Sequence, residues 1–144
     1  MEFEQADALN GAIRTIAMRH RALATVLLAP LGLHPGQEVI LLELDARGPR
    51  TQGQLAVASG CEPPTITGSV RKLETAGLVV RTTSPTDGRV TIVDLSDRGR
   101  ELLPALRSTW QELADRTAAG LSMPAEKFAA VLGELARSLG SERP

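Results

Sequence analysis

The chain has 144 residues, 42% hydrophobic and 23% charged, a balance ordinary for one globular domain. A single cysteine, Cys61, excludes a disulfide framework and a Cys-rich metal site. No apolar run nears the roughly 20 residues of a membrane span, and the acidic start MEFEQADALN lacks a signal pattern. Net charge is −1, yet between Arg47 and Arg89 six basic residues (Arg47, Arg50, Arg71, Lys72, Arg81, Arg89) stand against three acidic ones (Glu62, Glu74, Asp87). That local excess suits a phosphate-bearing partner which the whole-chain charge conceals. The expectation is a cytoplasmic protein, with no membrane contact and no cofactor or metal.

Residues 4 to 31 read as one long helix. Leu9, Ile13, Ile16, His20, Leu23 and Leu27 alternate by four and three, the seam of a helix that faces a partner helix. His20 interrupts the seam, either as a core histidine satisfied by a neighbour or as a pH or ligand sensor. Pro30 and Gly32 close the helix. His34-Pro35-Gly36-Gln37 opens a second one, with proline where its missing N–H costs nothing. Val39, Leu42 and Ala46, widened by Ile40 and Leu41, are its expected buried stripe, and Arg47-Gly48-Pro49 stops it.

Thr51-Gln52-Gly53-Gln54 fits a capping box at the start of a short third helix, with Leu55, Ala56 and Ala58 as its apolar side. Ser59-Gly60-Cys61-Glu62 makes a turn in which Gly60 takes the left-handed conformation. The fourth helix starts at Pro63 or Pro64 and runs to Ala76, capped by Gly77. Ile66, Val70 and Leu73 are its buried face. Its other face carries Thr65, Thr67, Gly68, Arg71 and Lys72, short polar groups followed by cations. That composition suits a helix that closely approaches bases and phosphates. Residues 78–83 and 90–95 are β-branched runs flanking Ser84-Pro85-Thr86-Asp87-Gly88-Arg89, the signature of a hairpin. Helix, turn, helix and hairpin in this order predict a winged helix-turn-helix, which sets one helix in the major groove of DNA.

Ser96-Asp97 caps a fifth helix, with Leu103, Leu106, Trp110, Leu113 and Thr117 along one side. Pro104 predicts a kink there or a later start. Ser122-Met123-Pro124 begins a last helix with Phe128, Val131, Leu132, Leu135 and Leu139 on one side. The tail from Gly140 to Pro144 is expected to fray.

Three segments carry a family likeness: LAVASG (Leu55 to Gly60), PPTITGSVRKLETAGLVVR (Pro63 to Arg81) and SPTDGRVTIVDLSDRG (Ser84 to Gly99). The chain resembles the multiple antibiotic resistance regulators, the MarR family. Their wing signature places an aspartate, an arginine two residues later, a strand, a Leu-Ser/Thr pair and a glycine in the order of Asp87, Arg89, Leu95, Ser96 and Gly99. Gly88 stands where the family often has a second arginine, which leaves one wing cation fewer. The resemblance implies a mainly α fold with a small β-hairpin wing (α+β). It also implies a homodimer built from the first, fifth and sixth helices. The corresponding division is 1–33 for the N-terminal dimerisation helix, 34–98 for the winged module and 99–144 for the C-terminal dimerisation helices. Two winged modules would then read a palindrome in double-stranded DNA, more often as a repressor in this family.

Candidate roles follow from residue type. Arg71 is the best base reader, since a guanidinium pairs bidentately with guanine; a phosphate contact is the alternative. Pro64, Thr65, Thr67 and Gly68 share the reading face, with Thr65 alternatively a helix cap and Gly68 permitting close backbone approach. Lys72 and Gln52 are candidate phosphate clamps, and Thr51 combines a cap with a phosphate contact. Arg89 would enter the minor groove, and Arg81 is a wing-base cation. By the family likeness Asp87 holds Arg89 in position; plain turn chemistry is the alternative. Cys61 lies beside Glu62 with no basic neighbour in sequence, so redox sensing is not expected. Family members often bind small aromatic or phenolic effectors between the dimer helices and the winged module, and Arg19, His20, His34 and Trp110 are the candidates there. A winged-helix protein-interaction module is the competing reading, disfavoured because its interface would carry exposed aromatics. An enzyme finds neither a phosphate loop nor paired carboxylates to work with.

Overall fold

The computed structural model describes residues 1–140. Six helices run α1 (Phe3–Leu28), α2 (Gln37–Arg47), α3 (Gln52–Ser59), α4 (Pro63–Thr75), α5 (Asp97–Ala118) and α6 (Ala125–Gly140). The strands among the described residues are β1 (Arg50–Thr51), β2 (Val79–Thr83) and β3 (Thr91–Leu95). The sheet is antiparallel in the order β1-β3-β2, with Arg50 opposite Val93 and Val79 opposite Leu95. The hairpin was legible in the sequence and its third strand was not. Two residues carry no periodicity, and β1 exists because β3 offers it a free edge.

The core is a single aliphatic cluster. Leu28 of α1, Ile40, Leu41 and Leu44 of α2, Leu55 of α3, Val70 and Leu73 of α4, Val79 and Val93 of the sheet, and Leu106 of α5 are all essentially excluded from solvent. Each such side chain contributes on the order of 2 kcal/mol by burial. The expected boundaries at residues 33 and 98 are therefore not core boundaries: α1 and α5 enter the same cluster as the winged module.

Several expected faces are rotated. The α2 stripe is Ile40, Leu41 and Leu44, while Ala46 is exposed and Val39 and Leu42 are only half-buried. The run Val39-Ile40-Leu41-Leu42 is apolar all round, so hydrophobicity alone does not set its phase. Contact with the sheet and α5 does. Ala58 is exposed on α3. The first helix gives way after Leu28 to a 3-10 turn over Ala29–Leu31, closed by left-handed Gly32. In its seam, Leu23 and Leu27 pack against the core while Leu9, Ile13 and Ile16 remain exposed. Pro104 neither delays nor divides α5. It lies on the exposed side, where the carbonyl left without an N–H partner meets water. Helix α6 begins at Ala125, and no residue in it is buried. The expected fraying beyond Gly140 concerns residues outside those described.

The start of α2 is closed by its own polar side chains. Gln37 Oε1 accepts from the His34 N–H at 2.9 Å, and Glu38 Oε2 accepts from the Gly36 N–H at 2.6 Å. Both residues are buried. Burial pushes the Glu38 carboxyl above its ordinary 4.5, against backbone N–H bonds and the charges of Arg21 and His20, which favour the carboxylate. The charged form is the penalised one, so the cost is present at neutral pH and vanishes as the pH falls below the ordinary glutamate value. Glu38→Gln, which keeps the acceptor and removes the charge, should raise Tm at pH 7, with a gain that shrinks toward pH 4. Thermal melts at the two pH values check this, and an unchanged or lower Tm at pH 7 contradicts it.

Candidate nucleic-acid interface

The reading helix is held from both ends. At the start of α3, Thr51 Oγ1 accepts from the Gln54 N–H at 3.1 Å and Gln54 Oε1 accepts from the Thr51 N–H at 3.0 Å. Gly60 turns the chain in the left-handed region (φ 63°), and the Cys61 N–H donates to the Ala56 carbonyl. Pro63 and Pro64 open α4, where absent N–H groups leave nothing unsatisfied. Ile66, Val70 and Leu73 bury one side. Thr65, Arg71 and Lys72 are exposed, and Thr67 and Gly68 are half-buried beside them.

Thr67 Oγ1 donates to the Pro63 carbonyl at 3.0 Å and lies 3.5 Å from Gln52 Oε1, which joins the start of α3 to the polar face of α4. Thr51, Gln52 and Arg89 in turn line one shallow cleft between α3 and the wing. Helix, turn and wing thus form a continuous polar surface. Thr65 does not cap α4: the N-cap is Glu62, without a side-chain bond. Gly68 has open space where a Cβ would stand, so nothing within the chain requires glycine there.

The cations divide into two groups. Arg47 and Arg50 face Glu43 at 3.1 and 3.9 Å, and Arg81 binds Glu74 through two contacts of 3.0 and 3.1 Å. The hydrogen bond between them holds the Glu74 carboxyl below its ordinary value and Arg81 above its own. Arg81, expected as a wing-base cation, thus ties β2 to α4 through Glu74. Arg71, Lys72 and Arg89 have no ion-pair partner among the described residues. At the wing tip, Asp87 Oδ1 accepts from the backbone N–H of Arg89 at 3.0 Å, and the Asp87 carbonyl accepts from Val90. The bond is that of an Asx turn, to the main chain of Arg89 and not to its guanidinium, which matches the turn-chemistry alternative.

Of the effector candidates, Arg19 and His20 come together. With Ile16, Leu23, Arg116 and Thr117 they line a cleft of about 400 Å³ between α1 and α5. His34 and Trp110 do not line it. Arg116, paired with Glu112 at 2.5 Å, was missed because only the antiparallel packing of α1 on α5 brings it near.

Two helices in a tight turn, a three-stranded wing and an uncompensated cationic face define a winged helix-turn-helix protein of the transcription-regulator class. The MarR family profile matches residues 33–91. An HTH-type transcriptional regulator of Mycobacterium bovis is 37% identical over 92 residues, 59% of this chain and 64% of that protein. The alignment thus spans less than two thirds of this curated relative. A probable transcriptional regulator of Pseudomonas aeruginosa is 32% identical and superposes with a TM-score of 0.79 over 92% of this chain and 98% of that one. BpsR of Bordetella bronchiseptica, whose DNA binding is regulated by 6-hydroxynicotinic acid, is 25% identical, with a TM-score of 0.79 and the same two coverages. The chain belongs to the MarR family.

A mid-helix glycine costs about 0.5–1 kcal/mol relative to alanine. With space available for a methyl group, Gly68→Ala should stabilise the isolated protein by about that amount in urea unfolding. If glycine serves contact with a ligand backbone, the same variant should bind that ligand more weakly. Loss of stability would mean that the helix itself needs Gly68.

Proposed function

We propose that the protein is a homodimeric, sequence-specific DNA-binding transcription regulator that reads a palindromic operator and represses by occupying it. The observation that carries this reading is the division of charge. Between Arg47 and Arg89, the cations on the polar face of α4 and at the wing tip have no ion-pair partner among the described residues, whereas Arg81 pairs with Glu74 and Arg47 and Arg50 share Glu43. Unpaired cations on one continuous surface suit a polyanion, and short side chains beside Arg71 suit the major groove. Arg89 in the connection between β2 and β3 suits the minor groove.

A second copy of the chain is favoured by the exposed apolar residues. Leu9, Ile13 and Ile16 on α1 and Val131, Leu132, Leu135 and Leu139 on α6 face solvent in one protomer. Residues 1–33 and 99–144 thus serve dimerisation and 34–98 serves reading. The cleft at Arg19 and His20 fits a small aromatic or phenolic acid, whose anionic group would meet Arg19. Regulation of BpsR by 6-hydroxynicotinic acid supports that class of effector.

A salt titration of binding to the DNA flanking the protein's own gene tests the reading. If all three free cations of each protomer reach phosphates, log K falls against log salt with a slope of about −5. Arg89→Ala should flatten the slope by about 2 per dimer, and Arg81→Ala should leave it nearly unchanged. Binding without sequence preference on any genomic fragment would favour a winged-helix protein-interaction module instead. Leu135→Glu should give a monomer in sedimentation equilibrium and lose operator binding; a stable dimer would remove α6 from the interface. A hydroxylated aromatic acid should release wild-type protein from DNA but not Arg19→Ala, and equal release of both would place the effector elsewhere.

A further inference from the structure

The recognition helix and the long helix that follows the wing share a single cap. Helix α4 ends with Gly77 in the left-handed region (φ 74°) and the Leu78 N–H donating to the Leu73 carbonyl at 2.9 Å. The carbonyls of Gly77 and Leu78 both go to Ser96, the N-cap of α5. Ser96 Oγ donates to the Gly77 carbonyl at 2.5 Å, and the Ser96 N–H donates to the Leu78 carbonyl at 3.1 Å. The same Ser96 Oγ accepts from the Gly99 N–H at 3.0 Å, closing the first turn of α5.

Gly99 is buried in this joint, and a Cβ there would stand 2.1 Å from the Leu78 carbonyl oxygen and 3.3 Å from Leu95 Cδ2. Gly99 is needed for close approach and not for backbone conformation, since its φ is not positive. The two ends thus meet through the Ser96 hydroxyl and one direct main-chain bond, with the Arg98 side chain alongside Gly77. Helix α5 continues for 22 residues and packs on α1, so a tilt of α5 reaches α4 directly.

We propose that Ser96 and Gly99 are positioning residues that lock the angle between α4 and α5, and thereby set the separation of the two recognition helices in the dimer. The inference rests on the dimeric regulator reading above. Neither residue is expected to touch DNA. Their loss should leave the base preference of each half-site intact and blur the preferred spacing between half-sites.

The sole cysteine, Cys61, lies in the turn immediately before α4 and supplies a reporter that needs no operator. A nitroxide on Cys61 of each protomer, read by pulsed electron resonance, measures the distance between the two reading heads. The wild type should give one narrow distance. Ser96→Ala removes the shared donor and acceptor, and Gly99→Ala forces the caps apart. Both should broaden or shift that distance, whereas Ser96→Thr, which keeps the hydroxyl, should restore it.

On DNA, the same variants should lose discrimination between duplexes whose identical half-sites are moved apart by single base pairs. If Gly99→Ala does not fold, Ser96→Ala and Ser96→Thr decide the matter. An unchanged narrow distance and unchanged spacing preference in folded Ser96→Ala would overturn the proposal while leaving the regulator reading intact. No distance between wild-type protomers would overturn the dimer reading, and this inference with it.

Discussion

Burial of one aliphatic cluster is the constraint on which the molecule depends. With three aromatic residues in the chain, none of them in the buried core, the interior is filled by Leu, Ile and Val from the helices and the sheet. Because Leu28 and Leu106 enter the same cluster as Val70, Leu73 and Val93, the long helices and the reading module are not separately stable pieces joined by linkers. A close-packed interior transmits displacement rather than absorbing it.

Polar groups do their structural work at the joints of this cluster. Gln37 and Glu38 close α2 against His34 and Gly36, Thr51 and Gln54 close α3, and Ser96 ties the end of α4 to the start of α5. Each satisfies backbone groups that a helix end leaves unpaired. Glu38 is the costly member of the set, a carboxyl group taken out of water to accept from backbone N–H groups at the helix start. The charged pairs have a different task. Glu74 engages Arg81, and Glu43 is shared by Arg47 and Arg50, so Arg71, Lys72 and Arg89 are the cations of this stretch left without a carboxylate partner among the described residues.

Much of this was legible locally. The capping box at Thr51, the left-handed turn at Gly60, the buried face of Ile66, Val70 and Leu73, the hairpin and the Ser96 cap each depend on residues within a few positions of one another. Backbone sterics and hydrogen bonding over that range are properties of the segment, and the family likeness extended them to the whole chain. The phase of α2 was not legible, because four consecutive apolar residues offer no polar side to orient them.

Tertiary structure alone decided which of the candidate residues are available. Arg81 and Arg89 are both wing arginines in sequence, but Glu74, seven positions before Arg81, lies within reach of one and not the other. Arg19 and His20 form a cleft with Arg116 because α1 packs on α5, whereas His34 and Trp110 are not part of its lining. Gly99 stands in the sequence as the last residue of the family's wing signature, and the physical reason for it appears only when the Leu78 carbonyl is found against it. Local preferences act over a few residues, while charge pairing and close approach depend on distance in space. Only the packed core brings distant parts of the chain within that distance.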